Sequence, residues 1–145
     1  MSLARGNSQH LTGAHDVRRR SLYSAGDYVQ AQRFRSYFRA EVAKLFESID
    51  VLATPTSIGP APLREEMSPE KQAMTPSFTG LWNLTGTPAM AIPVGHSSDL
   101  HLPLSMQLIG AAFNEATVFQ VGDAYQQLTD FHLQVPPIAQ RVAVA

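Results

Sequence analysis

Between residues 86 and 95 the chain reads "GTPAMAIPVG", an apolar run of strand length that contains both Pro88 and Pro93. Proline has no N–H to give to a β-ladder, so prolines inside a strand are confined to ends, edges or bulges. A fold that uses this run as a strand, read here over Ala89–Val94, must therefore place both prolines where no ladder donor is needed. The next apolar run, "LSMQLIG", alternates: Leu104, Met106 and Leu108 point one way, Ser105 and Gln107 the other. Two such runs joined by the turn "GHSSDLHLP" predict an antiparallel hairpin with a loop longer than the tightest type.

Helix signals flank this hairpin. Ser24 with Asp27 three residues on has the form of a capping box. Behind it, Ala31, Phe34, Phe38, Val42, Leu45 and Ile49 recur at spacings of three and four, which predicts an amphipathic helix over about 26–48. Val51 and Leu52 open a short buried strand ended by Pro55. The proline-rich stretch 55–75 reads as a long surface loop. Thr75 and Pro76 offer a cap and a first helical position for a short helix over 76–85, stopped by Gly86. Asn114 is positioned to cap a last helix with the stripe Val118, Val121, Tyr125 and Leu128. Residues 1–22 and 138–145 read as a flexible arm and a tail around a single α/β region, 23–137.

Composition removes several function classes. A hydrophobic content of 44% in 145 residues is that of a globular chain. A net charge of −1 gives no reason to expect nucleic acid or a membrane as partner, and Arg18–Arg20 alone reads as a solvated stretch. The absence of cysteine excludes disulfides, thiolate zinc sites and a cysteine nucleophile. The five histidines include no pair at helical i, i+4 spacing, so no metal site and no cofactor are expected. The start "MSLARGNSQHLTGAH" has no apolar core of a secretory signal, which points to the cytoplasm and makes the sequon at Asn83 incidental. "HSSD" at 96–99 groups His, Ser and Asp, but adjacent turn residues cannot all be aimed at one reacting atom, so turn chemistry explains it. No G-x-S-x-G elbow and no glycine-rich phosphate loop is present.

Three ordered stretches, "DVLATPTSIGPAP", "FTGLWNLTGTPAMAIPVG" and "LPLSMQLIGAAFNEATVFQVGDAYQQ", together with the preceding "DYVQAQRFR", resemble the C-terminal portion of the amidase signature family. The resemblance covers about residues 23–137. It implies an α/β fold in which this region forms part of a mixed sheet flanked by helices. It also implies a place for the two prolines: Pro88 at the entry to a sheet strand and Pro93 at its exit, leaving Ala89–Ile92 as the paired core.

The family cleaves or transfers amide groups with a Ser–Ser–Lys triad carried on an earlier Gly/Ser-rich segment and an upstream lysine. This sequence holds no such segment. Its Ser97–Ser98 pair lacks flanking glycines, and neither Lys44 nor Lys71 stands at a catalytic position of the family. No catalytic residue is therefore assigned. The resemblance implies an amide C–N hydrolase portion that is inactive on its own, completed by an N-terminal half or by self-association, with a small amide as substrate only when completed. The alternative is a non-catalytic interaction or oligomerisation module on the same fold. Met74, Phe78, Thr79 and Trp82 match the region that helps line the family's substrate pocket; Phe78 and Trp82, four apart on a short helix, equally suit core packing. Glutamine-using members carry an acidic residue where Pro76 stands here, which argues against glutamine recognition.

Overall fold

The computed structural model describes residues 23–136. The arm 1–22, with Arg18–Arg20, and the tail lie outside the described residues. Contacts divide the chain between Phe38 and Arg39 into two units.

The first helix, α1 (Ala25–Leu45), crosses that division. Its start is the expected box: the Ser24 backbone N–H and hydroxyl both donate to Asp27 Oδ2 at 2.8 Å, and the Asp27 N–H donates back to Ser24 Oγ at 3.1 Å. Its apolar face is only partly used. Val42 is buried, whereas Phe34 is 55% and Phe38 39% exposed, with Tyr28 and Tyr37 exposed as well. The 3.6-residue period correctly predicts a helix, but a period reports which residues share a face and not whether anything covers it.

Three strands follow: β1 (Val51–Pro55), β2 (Ala89–His96) and β3 (Pro103–Gly110). All are antiparallel, in the order β1-β3-β2, so β3 lies in the middle and β2 and β3 form the expected hairpin. The register sets Leu52, Ile109 and Ala89 in one row, and Thr54, Gln107 and Ala91 in the next, on one face of the sheet. Val51, Met90, Met106 and Leu108 belong to the other face, since side chains alternate along a strand.

The prolines behave differently from one another. Pro88 stands just before β2, and its carbonyl accepts the Gly110 N–H at 3.0 Å, so its missing donor costs nothing. Pro93 is not at the strand's exit. It pairs with Ser105 inside β2, which runs on to His96 through an irregularity between Pro93 and Gly95. The bulge takes up the lost donor, and Gly95 at φ 135° supplies the backbone freedom.

Residues 55–75 are not loop throughout. A 3-10 turn spans Arg64–Glu66, and α2 spans Pro69–Met74, with Ser68 Oγ accepting the Lys71 N–H at 3.2 Å. Ser68 and Pro69 thus supply a cap and first position ahead of Thr75 and Pro76, where the sequence pattern places them. Thr75 instead closes α2, its N–H donating to the Lys71 carbonyl at 3.0 Å. The following helix, α3, is Gly80–Thr85, and Ser77 Oγ accepts the Gly80 N–H at 3.0 Å. It stops as expected at Gly86, φ 74°, whose N–H donates to the Trp82 carbonyl at 2.8 Å. The last helix is α4, Glu115–Leu128. Asn114 precedes it but caps no backbone N–H; its Oδ1 accepts the Thr117 hydroxyl at 2.7 Å. Val118 and Gly122 are buried and Tyr125 half-buried, whereas Val121 and Leu128 are exposed. A glycine has no apolar side chain to mark its face, so the stripe of apolar residues points one position away from the true contact.

Helices cover both sheet faces. Ile92, Leu108 and Val118 form one core cluster with Met90, Met106 and Tyr125 against it. Val42, Trp82 and Ile109 form the other, with Phe46 and Leu52. The arrangement is the expected α/β layering.

Candidate substrate-cleft wall

The polar residue Gln107 interrupts the apolar middle strand and is 3% exposed. A buried carboxamide is costly unless its groups are bonded. Its Nε2 donates to Phe78 O at 2.8 Å, to Thr54 Oγ1 at 2.9 Å and more weakly to Pro55 O at 3.3 Å. Two of those acceptors are carbonyls, which can only accept, so the nitrogen must be the atom on that side. Two residues earlier on β3, the Ser105 hydroxyl donates to Thr56 Oγ1 at 3.0 Å. The sheet face that begins apolar at Leu52 and Ile109 therefore ends polar, and three separate chain segments (the end of β1, the middle of β3, and the residues before α3) converge on one side chain.

A cavity of about 440 Å³ opens beside this tie, lined among others by Thr56, Thr79, Trp82, Asn83, Thr87 and Gln107. Of the four residues expected at a substrate pocket, the structure brings Thr79 and Trp82 to this wall. Phe78 contributes its carbonyl to Gln107, while its ring is 40% exposed. Met74, at the end of α2, is 85% exposed and does not line the cavity. Trp82 is 8% exposed and packs with Val42 and Ile109, so it serves the core as well as the cavity. Its indole Nε1 is buried without a hydrogen-bond partner among the described residues. In the sequence Gln107 is visible only as a polar residue on the outward face of an alternating strand. What marks it out, a second layer of chain lying over that face, is a tertiary fact.

The groups that resemble catalysts are occupied elsewhere. Ser97 Oγ accepts the Leu102 N–H at 3.1 Å, closing the hairpin turn. Asp99 is held below the usual carboxylate range by the backbone N–H groups of Leu100 and of Asp99 itself, and by Ser97. "HSSD" is turn chemistry. Lys44 Nζ donates to Glu41 at 2.7 Å, and neither it nor Lys71 lines the cavity. Among the described residues no cluster of three metal-ligating side chains occurs, and no helix is long and apolar enough to cross a membrane.

The Amidase family model matches residues 8–119. The chain belongs to the amidase family. A glutamyl-tRNA(Gln) amidotransferase subunit from Chloroflexus aggregans is 39% identical to this amidase over 115 residues, 78% of the chain and 23% of that protein. Its counterpart from Lysinibacillus sphaericus is 41% identical over 75% of the chain and 22% of that protein. The solved structure of a glutamyl-tRNA(Gln) amidotransferase subunit from Thermotoga maritima superposes with a TM-score of 0.61 at 27% identity, over 80% of this chain and 26% of that one. 6-Aminohexanoate cyclic dimer hydrolase shares the fold, with a TM-score of 0.68 at 23% identity over 85% of this chain and 28% of that one. The chain thus spans about a quarter of the length of the relatives it matches.

Proposed function

We propose that this chain supplies one wall of an amide-binding cleft in an enzyme that cleaves or transfers linear amide groups, and that it does not turn over amides by itself. The observation that carries the reading is the polar end of the sheet: Gln107, tied to Phe78 and to the end of β1, frames a cavity that also presents Thr79, Thr87 and Asn83 beside Trp82. Such a wall, an aromatic body with a few hydrogen-bonding groups, suits a small ligand with both a donor and an acceptor, as an amide has. The lack of turnover follows from the side chains: an unassisted serine is a poor nucleophile, and here Ser97 is engaged in its turn. The substrate is placed outside glutamine because Pro76 stands where an acidic residue would hold an ammonium group.

Two measurements test this. Benzamide and short aliphatic amides, added to the purified chain, should shift the emission of Trp82, the single tryptophan. They should release no ammonia. An absence of any ligand effect on Trp82 overturns the cleft-wall reading. Turnover that disappears in the Ser97→Ala/Ser98→Ala double variant overturns the inactivity.

A second reading, a module for association, is favoured by α1, where Tyr28, Phe34 and Tyr37 are 65%, 55% and 60% exposed on one helix. Sedimentation at micromolar concentration should then show an associated species. A monodisperse monomer that binds no hydrophobic dye removes this reading.

A further inference from the structure

The cavity wall is built from segments that have no covalent reason to stay together. Residues 75–79 join α2 to α3 without belonging to either, and their link to the sheet beneath is the 2.8 Å bond from Gln107 Nε2 to the Phe78 carbonyl. The same nitrogen bonds Thr54 at the end of β1. Thr79 and Trp82, which line the cavity, follow closely on Phe78 in the chain. Burial makes these bonds strong, because few waters compete for the carboxamide, and it makes their loss costly. Gln107 itself also forms part of the wall.

We propose that Gln107 is a positioning residue: from the middle strand it holds the 75–79 segment and the end of β1 in one register, and so sets where Thr79 and Trp82 stand in the wall. Its function in binding rests on the cleft-wall reading above, but the positioning itself is measurable without any ligand. A residue that only filled space would be replaced equally well by an apolar side chain of similar volume. A positioning donor would not, because an apolar replacement leaves the Phe78 carbonyl unpaired under the wall.

The test uses the whole chain and the emission of Trp82, with no amide present. Gln107→Leu keeps the volume and removes the donors; Trp82 emission should move to longer wavelength as the segment lifts and water reaches the indole, while the far-ultraviolet dichroism stays that of the native chain. Gln107→Glu supplies a reversible version. Ionised, its carboxyl has no proton to donate and faces two carbonyl oxygens; protonated, it donates again. Burial raises the pKa of such a group, so it should regain its proton by about pH 5. Trp82 emission of Gln107→Glu should therefore be shifted at neutral pH and return to the native wavelength on acidification, with the native chain flat over the same interval. Ser105→Ala, which loses only the bond to Thr56, should leave the emission in place.

Native emission in Gln107→Leu overturns the proposal. So does a pH-independent Gln107→Glu, or loss of folding in both variants with no recovery in acid, which would make Gln107 a residue of stability alone. If these signatures appear but benzamide has no effect on Trp82 in the native chain, the positioning stands and the cleft-wall reading falls.

Discussion

The two faces of the sheet are built on opposite principles. One is closed and apolar: Ile92 and Leu108 meet Val118 of α4, and the backbone of Gly122 lies so near that an added Cβ would run into Met90 Cε. The other begins the same way at Ile109, 0% exposed beneath Val42 and Trp82, and then turns polar at Gln107, Thr54, Ser105 and Thr56. The closed face derives its stability from area removed from water, which has no preferred direction. The polar end has little such area; hydrogen bonds of defined geometry hold it, and they place groups around a cavity. Stability and recognition are thus divided across the thickness of one sheet, and the dividing residues, Leu108 and Gln107, are neighbours on one strand.

This division predicts a graded response to substitution. The largest effect should come from the closed face. Leu108→Ala removes a side chain 2% exposed from a packed cluster and should cost about 2–5 kcal/mol in a urea melt. A cost under about 1 kcal/mol would mean that the two faces are equally loose and would dissolve the comparison. Next comes the junction that brings Trp82 to the mixed face. Gly86→Val forces a β-branched residue into φ 74° and should cost on the order of 1–2 kcal/mol. A Gly86→Val chain as stable as the native one would show that the turn out of α3 is free to move, and with it the cavity.

Smaller changes belong to positions outside both faces. Pro88→Ala and Ser98→Ala should each stay within about half a kcal/mol, since Pro88 works through its carbonyl and Ser98 lies exposed in the turn. If Pro88→Ala unfolds the chain, the entry to β2 carries more of the stability than either face. The smallest expected effect is at the start of α1. The Ser24 N–H and then its hydroxyl hold Asp27 below the usual carboxylate range. A carboxyl with a lowered folded pKa contributes stability above its unfolded pKa and loses it as pH falls through the folded value. Helicity at this end should fade only below that range, a change read by NMR at Ser24 and Asp27. Asp27→Asn should abolish the dependence, leaving the sheet signals unmoved.

Several elements are legible because their causes are local. A Ser/Asp pair three apart makes a helix start wherever it stands, and a glycine after "NLT" ends a helix by its own backbone freedom. The alternation of "LSMQLIG" and the loop before it are enough for the antiparallel hairpin. The departures from expectation have equally definite causes. Two Ser/Thr-Pro pairs, Ser68-Pro69 and Thr75-Pro76, both carry the local signal for a helix start, and only the first is used. Pro93 could end a strand or sit in a bulge, and it sits in the bulge because the strand resumes its pairing at Gly95. The apolar residues of α1 share a face on which Tyr28, Phe34 and Tyr37 stay exposed.

By itself, then, the sequence determined the helices, the hairpin, the α/β class and membership of the amidase family, because capping, periodicity and ordered motifs act over a few residues each. Tertiary structure alone decided that β3 lies between β1 and β2, that Gly122 rather than Val121 faces the sheet, and that Gln107 is buried under the segment that carries Phe78. Those outcomes depend on which distant segments meet. Gln107 and Phe78 stand 29 positions apart, and Gln107 and Thr54 stand 53 apart. No local rule of residue type or spacing reaches across such a separation; only the packing of the layers brings those atoms within bonding distance.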